Sequence, residues 1–305
     1  MKNTTQNAMD ARQTPEWGRY LQSIGWQRIM ASRTQVMVRK FPFLDISLIK
    51  IQHAFGPFPF KQIDAIARHK KSLVVLIEPH IVGFDATELK SHGFFQSKML
   101  LAFTATIKID LAKSREKLFK SLSENARRNI KKAQKEKLRV KIYHMKDKKN
   151  WEHFDEFYDL LKNLTKMKKF YVPSRDEYHK KMTAFKNTSY LVFAYENEQP
   201  IAVVWYVHFG NVIAYFQTGI TRRGYETFAN YLLVWEGFLL GKRLKKTVFD
   251  FEAIYDERFP KNVPKHIGYS EFKKRFHGDV ILYPQPWVKT YNILGAILHR
   301  LSTLS

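Results

Sequence analysis

The feature that most constrains the fold is the stretch 189–220. Three apolar segments, YLVFAYEN, PIAVVWYVHFG and NVIAYFQTG, are separated by turn residues at Asn197 and at Gly210-Asn211. Segments rich in Val, Ile, Tyr and Phe, punctuated in this way, predict an antiparallel meander. A long helix over 230–243 and the strand VFDFEA follow it. A helix that leads from a meander into a further strand must bury one face on the sheet. The chain is therefore of the α+β (α/β) class, with a mixed sheet.

The rest of the chain is read with the same rules. Upstream, 16–24 is predicted as a short helix and 26–40 as one or two strands, with alternation at Val36 and Val38. FGPFPF is a Pro/Gly loop that continues neither helix nor central strand. A helix over 60–69 carries Ile63, Ile66 and Ala67 at helical spacing, and LVVLIEP is a buried strand ending in Glu78. A short helix at 89–93 and the strand TIKIDL precede Ser114, an N-cap without its capping-box acid, since Lys117 stands there. Helices over 115–119 and 124–137 and a strand over 139–143 come next. The helix over 151–167 has a stripe of Phe154, Phe157, Leu160, Leu161 and Leu164, and 176–185 is another helix. The first ten residues are expected to be disordered, and the tail WVKTYNILGAILHRLSTL to be an amphipathic helix. Helices, meander, helix, strand is the order of an N-acetyltransferase-like (GNAT) domain over about 110–282. The first half could be a degenerate copy by element order, without a sequence repeat.

Composition narrows function. The chain holds 52 Lys+Arg against 28 Asp+Glu, a net charge of +24, which implies a polyanionic partner. With no cysteine, disulfides, thiol nucleophiles and Cys-ligated zinc are excluded. The start lacks a signal-peptide apolar core, and no run approaches the roughly 18–20 apolar residues of a membrane span. YLLVWEGFLL is short and carries Glu236. A cytoplasmic protein is expected, soluble or peripheral on the inner face of the plasma membrane. None of the 11 histidines stands in an HExxH spacing, so no metal site is expected. GxxxxGK, GxGxxG and GxSxG are absent too. In TRRGYETFANYLL only Gly224 fits the phosphate-cradling loop of acetyl-CoA enzymes, so acetyl-CoA is not the expected donor.

Three segments carry candidate chemistry. Arg127, Arg128, Lys131, Lys132 and Lys135 crowd one helix, and the last four share a face at i, i+3, i+4, i+7, a stripe suited to tracking phosphates. The plain alternative is a solvated helix surface. In FDFEAIYDERF, alternation places Asp250 and Glu252 on one strand face and Phe249 and Phe251 on the other. Asp250 is a candidate catalytic acid, or else a structural acid paired with a cation. GYSEFKKRF offers Lys273, Lys274 and Arg275 between Phe272 and Phe276. Such cations can stabilise an acyl-transfer oxyanion, or form only a surface patch.

Together these segments resemble the FemABX family of peptidoglycan-bridge aminoacyltransferases. PEWGRYLQSIGW, LVVLIEP, TIKIDLAKSREKLFKSLSENARRNIKKAQKEKLRV, FYDLLKNLTKMKKFYVPSRDEY, NYLLVWEGF, FDFEAIY and GYSEFKKRF stand in family order across nearly the whole chain. The resemblance implies two GNAT-like domains, 110–282 and 1–109 with 283–305, without the long helical arm of larger members. By position it gives Lys273 the role of the family's lysine after Phe, with Phe272 lining the site. Asp250 matches the strand acid, although Ala253 replaces a glycine, and Glu78 stands where the first domain carries an acid near the acceptor. The family's phosphate-binding lysine and arginine fall near Leu21 and Ser174, so Arg19 and Arg175 are the nearest cations. Tyr215 and Lys274 complete the substrate-binding candidates.

The resemblance further implies transfer of an amino acid from aminoacyl-tRNA to a stem-peptide amine of a peptidoglycan precursor, lipid-linked or UDP-linked. No cofactor is expected beyond the charged tRNA. The tail helix, with Ile293, Leu294, Ile297, Leu298 and Leu301 on one side, would touch the membrane or pack on the first domain. An acyltransferase with another donor or acceptor, and a non-catalytic RNA-binding protein, are the alternatives.

Overall fold

The computed structural model describes residues 5–6, 8–168, 171–260 and 267–304. The chain divides into two units. One joins Asp10–Thr104 with Leu282–Ser305 and is called the first lobe; the other joins Met1–Met9 with Ala105–Ile281 and is called the second.

In the first lobe, β1 (Gln27–Ala31), β2 (Thr34–Lys40) and β3 (Ser47–Ala54) run antiparallel. The helix Phe60–His69 crosses over to β4 (Ser72–Pro79), which lies parallel to β3. Every residue of β4 is buried, as a parallel strand covered on both faces requires, and this is why LVVLIEP is an unbroken apolar run. The sheet order is β1-β2-β3-β4-β13-β5, where β5 is Phe95–Gln96 and β13 is Trp287–Thr290. Val36, Val38, Ile49, Ile51, Val75 and Ile77 form the core with Ile63 and Ala67 of the helix.

The second lobe contains β6 (Ala105–Asp110), β7 (Arg139–His144), β8 (Ser189–Glu196), β9 (Gln199–Phe209), β10 (Val212–Ile220), β11 (Val248–Ala253) and β12 (Asp279–Leu282) in the order β12-β6-β11-β10-β9-β8-β7. β7 to β10 are antiparallel, and the expected meander is β8-β9-β10. The helix Ala229–Arg243 then crosses over to β11, parallel to β10, and β6 closes on β11 antiparallel. Leu233, Val234 and Phe238 of that helix pack with Tyr206, Tyr215 and Phe249. The stripe of the helix His153–Lys168 is buried as its periodicity predicts. Both sheets follow one plan: antiparallel strands, a crossover helix, a parallel strand, and a closing antiparallel strand from elsewhere in the sequence. The mixed α/β class with two mixed sheets is thus borne out.

Several local expectations are corrected. β3 carries Lys50, Gln52 and His53 in buried positions and was not legible as a strand. The helix expected at 89–93 is Ala86–Ser91, because the Asp85 carboxylate accepts from Thr87 N and starts it earlier. The basic helix ends at Lys135 rather than 137. Trp287 begins a strand, and the tail helix is Ile293–Leu304. Disorder near the start does not extend to Thr5, Ala8 and Asp10, which are buried. The Thr5 hydroxyl donates to Asp279, and Asp10 caps the 3-10 turn Ala11–Gln13. Residues 1–4 and 7, and the side chains of Leu298 and Leu301, lie outside the described residues. Among the described residues no helix is long and apolar enough to cross a membrane.

Candidate functional site

The candidate site is a fork between parallel strands in the second lobe. β10 and β11 pair at Val212↔Val248, Ile213↔Phe249 and Ala214↔Asp250, and their register ends there. Directly beyond, β10 slips against β9 between Tyr215 and Gln217, and β11 slips against β6 between Asp250 and Ala253. Bulges bend and twist the strands that carry them, so these two part company. Glu252 has φ +59°, a conformation that marks the irregularity. The alternation expected for Asp250 and Glu252 is thereby broken, and the two acids do not share a regular strand face.

Asp250 anchors the base of the fork. Its Oδ1 accepts from the Thr106 hydroxyl and from Glu252 N at 2.7 Å. Its Oδ2 lies 3.8 Å from Nζ of Lys108, and both side chains are buried. Lys273, on the helix Ile267–Lys274, fills the opening. It is 0% exposed, and its Nζ donates to the carbonyl of Phe251 and, at 2.7 Å, to that of Ala253. The same nitrogen stands 3.7 Å from the ring centre of Tyr269 and 5.5 Å from that of Tyr215. Burial pushes its pKa well below 10.5, while Glu252 and Asp250 pull it back up. The sequence offered Lys273 as a cation stabilising an oxyanion or as part of a surface patch; the structure places it in the interior, so the surface patch is excluded for this residue, with its ammonium on main-chain carbonyls. Neighbouring residues on a helix point about 100° apart, so Lys274 faces outward, where it pairs with Glu271 at 2.9 Å. Phe272 is half-buried, edge-on to Tyr231 and Phe276. Ser270 Oγ accepts from Tyr255 N at 2.6 Å and so ties this helix to the chain leaving β11.

The basic helix Glu124–Lys135 buries Ala126, Asn129, Ile130 and Ala133 and exposes Arg128, Lys131, Lys132 and Lys135. Arg127 does not join them. It donates to the carbonyls of Lys120 and Leu122, closing the preceding helix Arg115–Ser121. Arg175 pairs with Asp155 at 2.5 Å and lies over the Phe154 ring.

In the first lobe, Glu78 is buried, and its Oε1 accepts from Leu101 N and Ala102 N at 2.6 and 2.7 Å. Its Oε2 has no hydrogen-bond partner among the described residues. Burial raises its pKa above 4.5 despite His53, the two N–H donors and Lys50. Arg19 is exposed and pairs with Glu16 at 2.7 Å. Sequence reasoning missed the buried cluster beside Glu78. His53 Nδ1 is 2.9 Å from Asp10 Oδ2, its Nε2 is 2.9 Å from the Phe103 carbonyl, and Tyr283 stacks on its ring at 4.1 Å. Burial alone would raise the Asp10 pKa, but His53 and Arg12 together hold it well below the usual carboxylate range. Partners this far apart in sequence leave no local signal.

Glu78→Gln keeps an oxygen for the two N–H donors and removes a carboxylate that burial disfavours. Because the folded state holds the Glu78 proton more tightly than the unfolded chain, wild-type stability falls as pH rises from 4.5 through the raised value. Denaturant titrations across that range should show the variant gaining on the wild type as pH rises; a gap independent of pH would refute this account.

Among the described residues no group of His, Asp or Glu could hold a metal ion. Comparisons with known proteins give the following. Residues 89–197 match the model of the FemAB family. The fold is similar to that of FemX, with TM-score 0.81 and 14% identity over 97% of this chain and 95% of that one. It is also similar to L-PGS from Bacillus licheniformis, with TM-score 0.59 and 11% identity over 91% of this chain and 89% of that one. A further likeness is to the C-terminal domain of a candidate lysylphosphatidylglycerol synthetase from Agrobacterium fabrum, with TM-score 0.63 and 10% identity over 96% and 92%. No curated protein matches by sequence.

Proposed function

The FemABX resemblance is borne out by the family match over residues 89–197, and on that premise we propose that the chain is an aminoacyltransferase. Its donor is an aminoacyl-tRNA and its acceptor the stem-peptide amine of a peptidoglycan precursor. The observation that carries this reading is the FemAB segment itself, because it spans the whole basic helix Glu124–Lys135. An exposed row of four cations fits the phosphates of an RNA donor.

The amine nitrogen attacks the ester carbonyl carbon, and a C–N bond forms while negative charge develops on the carbonyl oxygen. The C–O bond to the ribose then breaks, and the proton lost by the amine balances the one gained by the ribose oxygen. Main-chain N–H donors are the groups expected to meet the oxyanion. Lys273 acts as a positioning residue: by holding the carbonyls of Phe251 and Ala253 it keeps β11 bent away from β10. Asp250 fixes the base of the same fork. Glu78 and Arg19 in the first lobe, and Tyr215 and Arg175 in the second, are retained as candidate substrate-binding residues of their own lobes. Exchange of an ester for an amide is downhill, so the reaction requires no nucleotide cofactor. The likeness to the candidate lysylphosphatidylglycerol synthetase domain suggests one second reading, in which an anionic phospholipid takes the place of the precursor.

The reading is tested by supplying charged tRNA with either acceptor, with and without ribonuclease. Transfer that survives ribonuclease refutes the tRNA donor. In parallel, Arg128→Ala, Lys131→Ala, Lys132→Ala and Lys135→Ala combined should weaken RNA binding and flatten the log–log salt dependence by roughly 3. An unchanged salt slope would remove the basic helix from the interface.

A further inference from the structure

We propose that one end of the first-lobe sheet is a docking edge for a bilayer that carries anionic phospholipid, led by the tip of the β2–β3 hairpin. The hairpin closes where Phe41 N donates to the Ile46 carbonyl and Leu44 N to that of Phe41. At its tip Phe43 is 105% exposed and Leu44 57%. Phe43 also has φ +63°. A bulky residue in the left-handed region is unfavourable in itself, and a wholly exposed aromatic gains nothing from the fold. Both costs at one residue point to a role outside the folded chain.

The tip has apolar company. β3 begins at Ser47, which pairs with Ser72 at the start of β4. The next residue, Leu73, gives its carbonyl to Tyr291 N, and the tail helix sits so close that a Cβ on Gly295 would come within 2.1 Å of that oxygen. The hairpin tip and the first turn of the tail helix therefore share one end of the sheet. In that turn Ile293 is 81% exposed and Leu294 51%. Gly295 faces inward and His299 bonds Ser97, which leaves the opposite side of the helix uncovered.

Charge at this end selects the partner. Lys40 ends β2, and Arg68, Lys70 and Lys71 surround the turn into β4, whose main chain binds Ser47. The nearby acids are already matched: Asp45 pairs with Lys71, and Asp64 accepts from Lys289 and Tyr291. Exposed aromatic and aliphatic groups flanked by Lys40, Arg68, Lys70 and Lys71, which outnumber the neighbouring acids Asp45 and Asp64, suit a negatively charged headgroup layer over an acyl boundary. A neutral protein groove would leave those cations unmatched.

The test uses the full chain and phosphatidylcholine vesicles with and without phosphatidylglycerol, in sedimentation without any RNA. It is thereby independent of the aminoacyl-transfer reading, and either can fail alone. Binding should require phosphatidylglycerol. Phe43→Gly with Leu44→Ser should weaken it about tenfold or more, and the fold should survive because glycine accepts this backbone conformation. Ile293→Ser with Leu294→Ser should weaken it too, and Lys40→Glu with Lys70→Glu should abolish the preference for phosphatidylglycerol. Equal binding to both vesicle types, full binding by the Phe43→Gly/Leu44→Ser variant, or self-association of the wild type that this variant dissolves would each overturn the proposal.

Discussion

Lys273→Ala should destabilise the second lobe by about 3–4 kcal/mol, since two carbonyls lose their donor and a buried stem is deleted. Phe251 and Ala253 are the residues whose carbonyls are stranded, in a strand already out of register with β6. Urea denaturation followed by near-ultraviolet circular dichroism measures the loss, and a change under about 1 kcal/mol would refute the role given to this lysine. The pH dependence has a definite sign. The folded state holds the Lys273 proton less tightly than the unfolded chain, so the unfolded chain binds more protons between the depressed value and 10.5. Wild-type stability therefore gains from this group as pH rises through that window. Lys273→Met lacks that gain, and its deficit should widen toward high pH.

Asp250→Ala should cost a similar amount, about 3–5 kcal/mol, because it removes one partner of a buried ion pair. Here Lys108 loses the carboxylate 3.8 Å away, and the Thr106 hydroxyl and Glu252 N lose their acceptor. Asp250→Asn keeps an oxygen for the two donors and should recover roughly half of the loss. The pair of variants also separates anchoring from proton transfer. If Asp250 only holds the fork, kcat in Asp250→Asn should fall with stability and keep the wild-type pH profile. A folded Asp250→Asn enzyme that has lost one limb of that profile would instead make Asp250 the base.

The second lobe was largely legible because its elements announce themselves locally. The meander alternates between turn residues, the helix His153–Lys168 carries an unbroken stripe, and the helix Ala229–Arg243 is apolar nearly all round. Three kinds of feature were not legible. β3 interleaves polar residues that face a buried polar cluster, so SLIKIQHA lacks the apolar pattern of an interior strand. β12 and β13 are four residues each and owe their existence to distant partners. At the candidate site, the sequence singled out Asp250 and Lys273 but not their surroundings. A bulge is set by how two strands pair, which residue order along one of them does not express. A run of cations likewise does not say which member a short helix turns inward.

The late position of β13 has a consequence for biosynthesis. Val74 and Leu76 of β4, paired with β3 on one flank, find their second neighbour only in residues 287–290, whereas every strand from β6 to β11 has been synthesised by residue 253. The amino-terminal lobe is thus translated first and finished last, with one flank of β4 waiting, unzipped, for nearly the whole of elongation. A nonsense codon between Ala253 and Trp287 would spare the downstream sheet's central strands yet strand the upstream one permanently ajar.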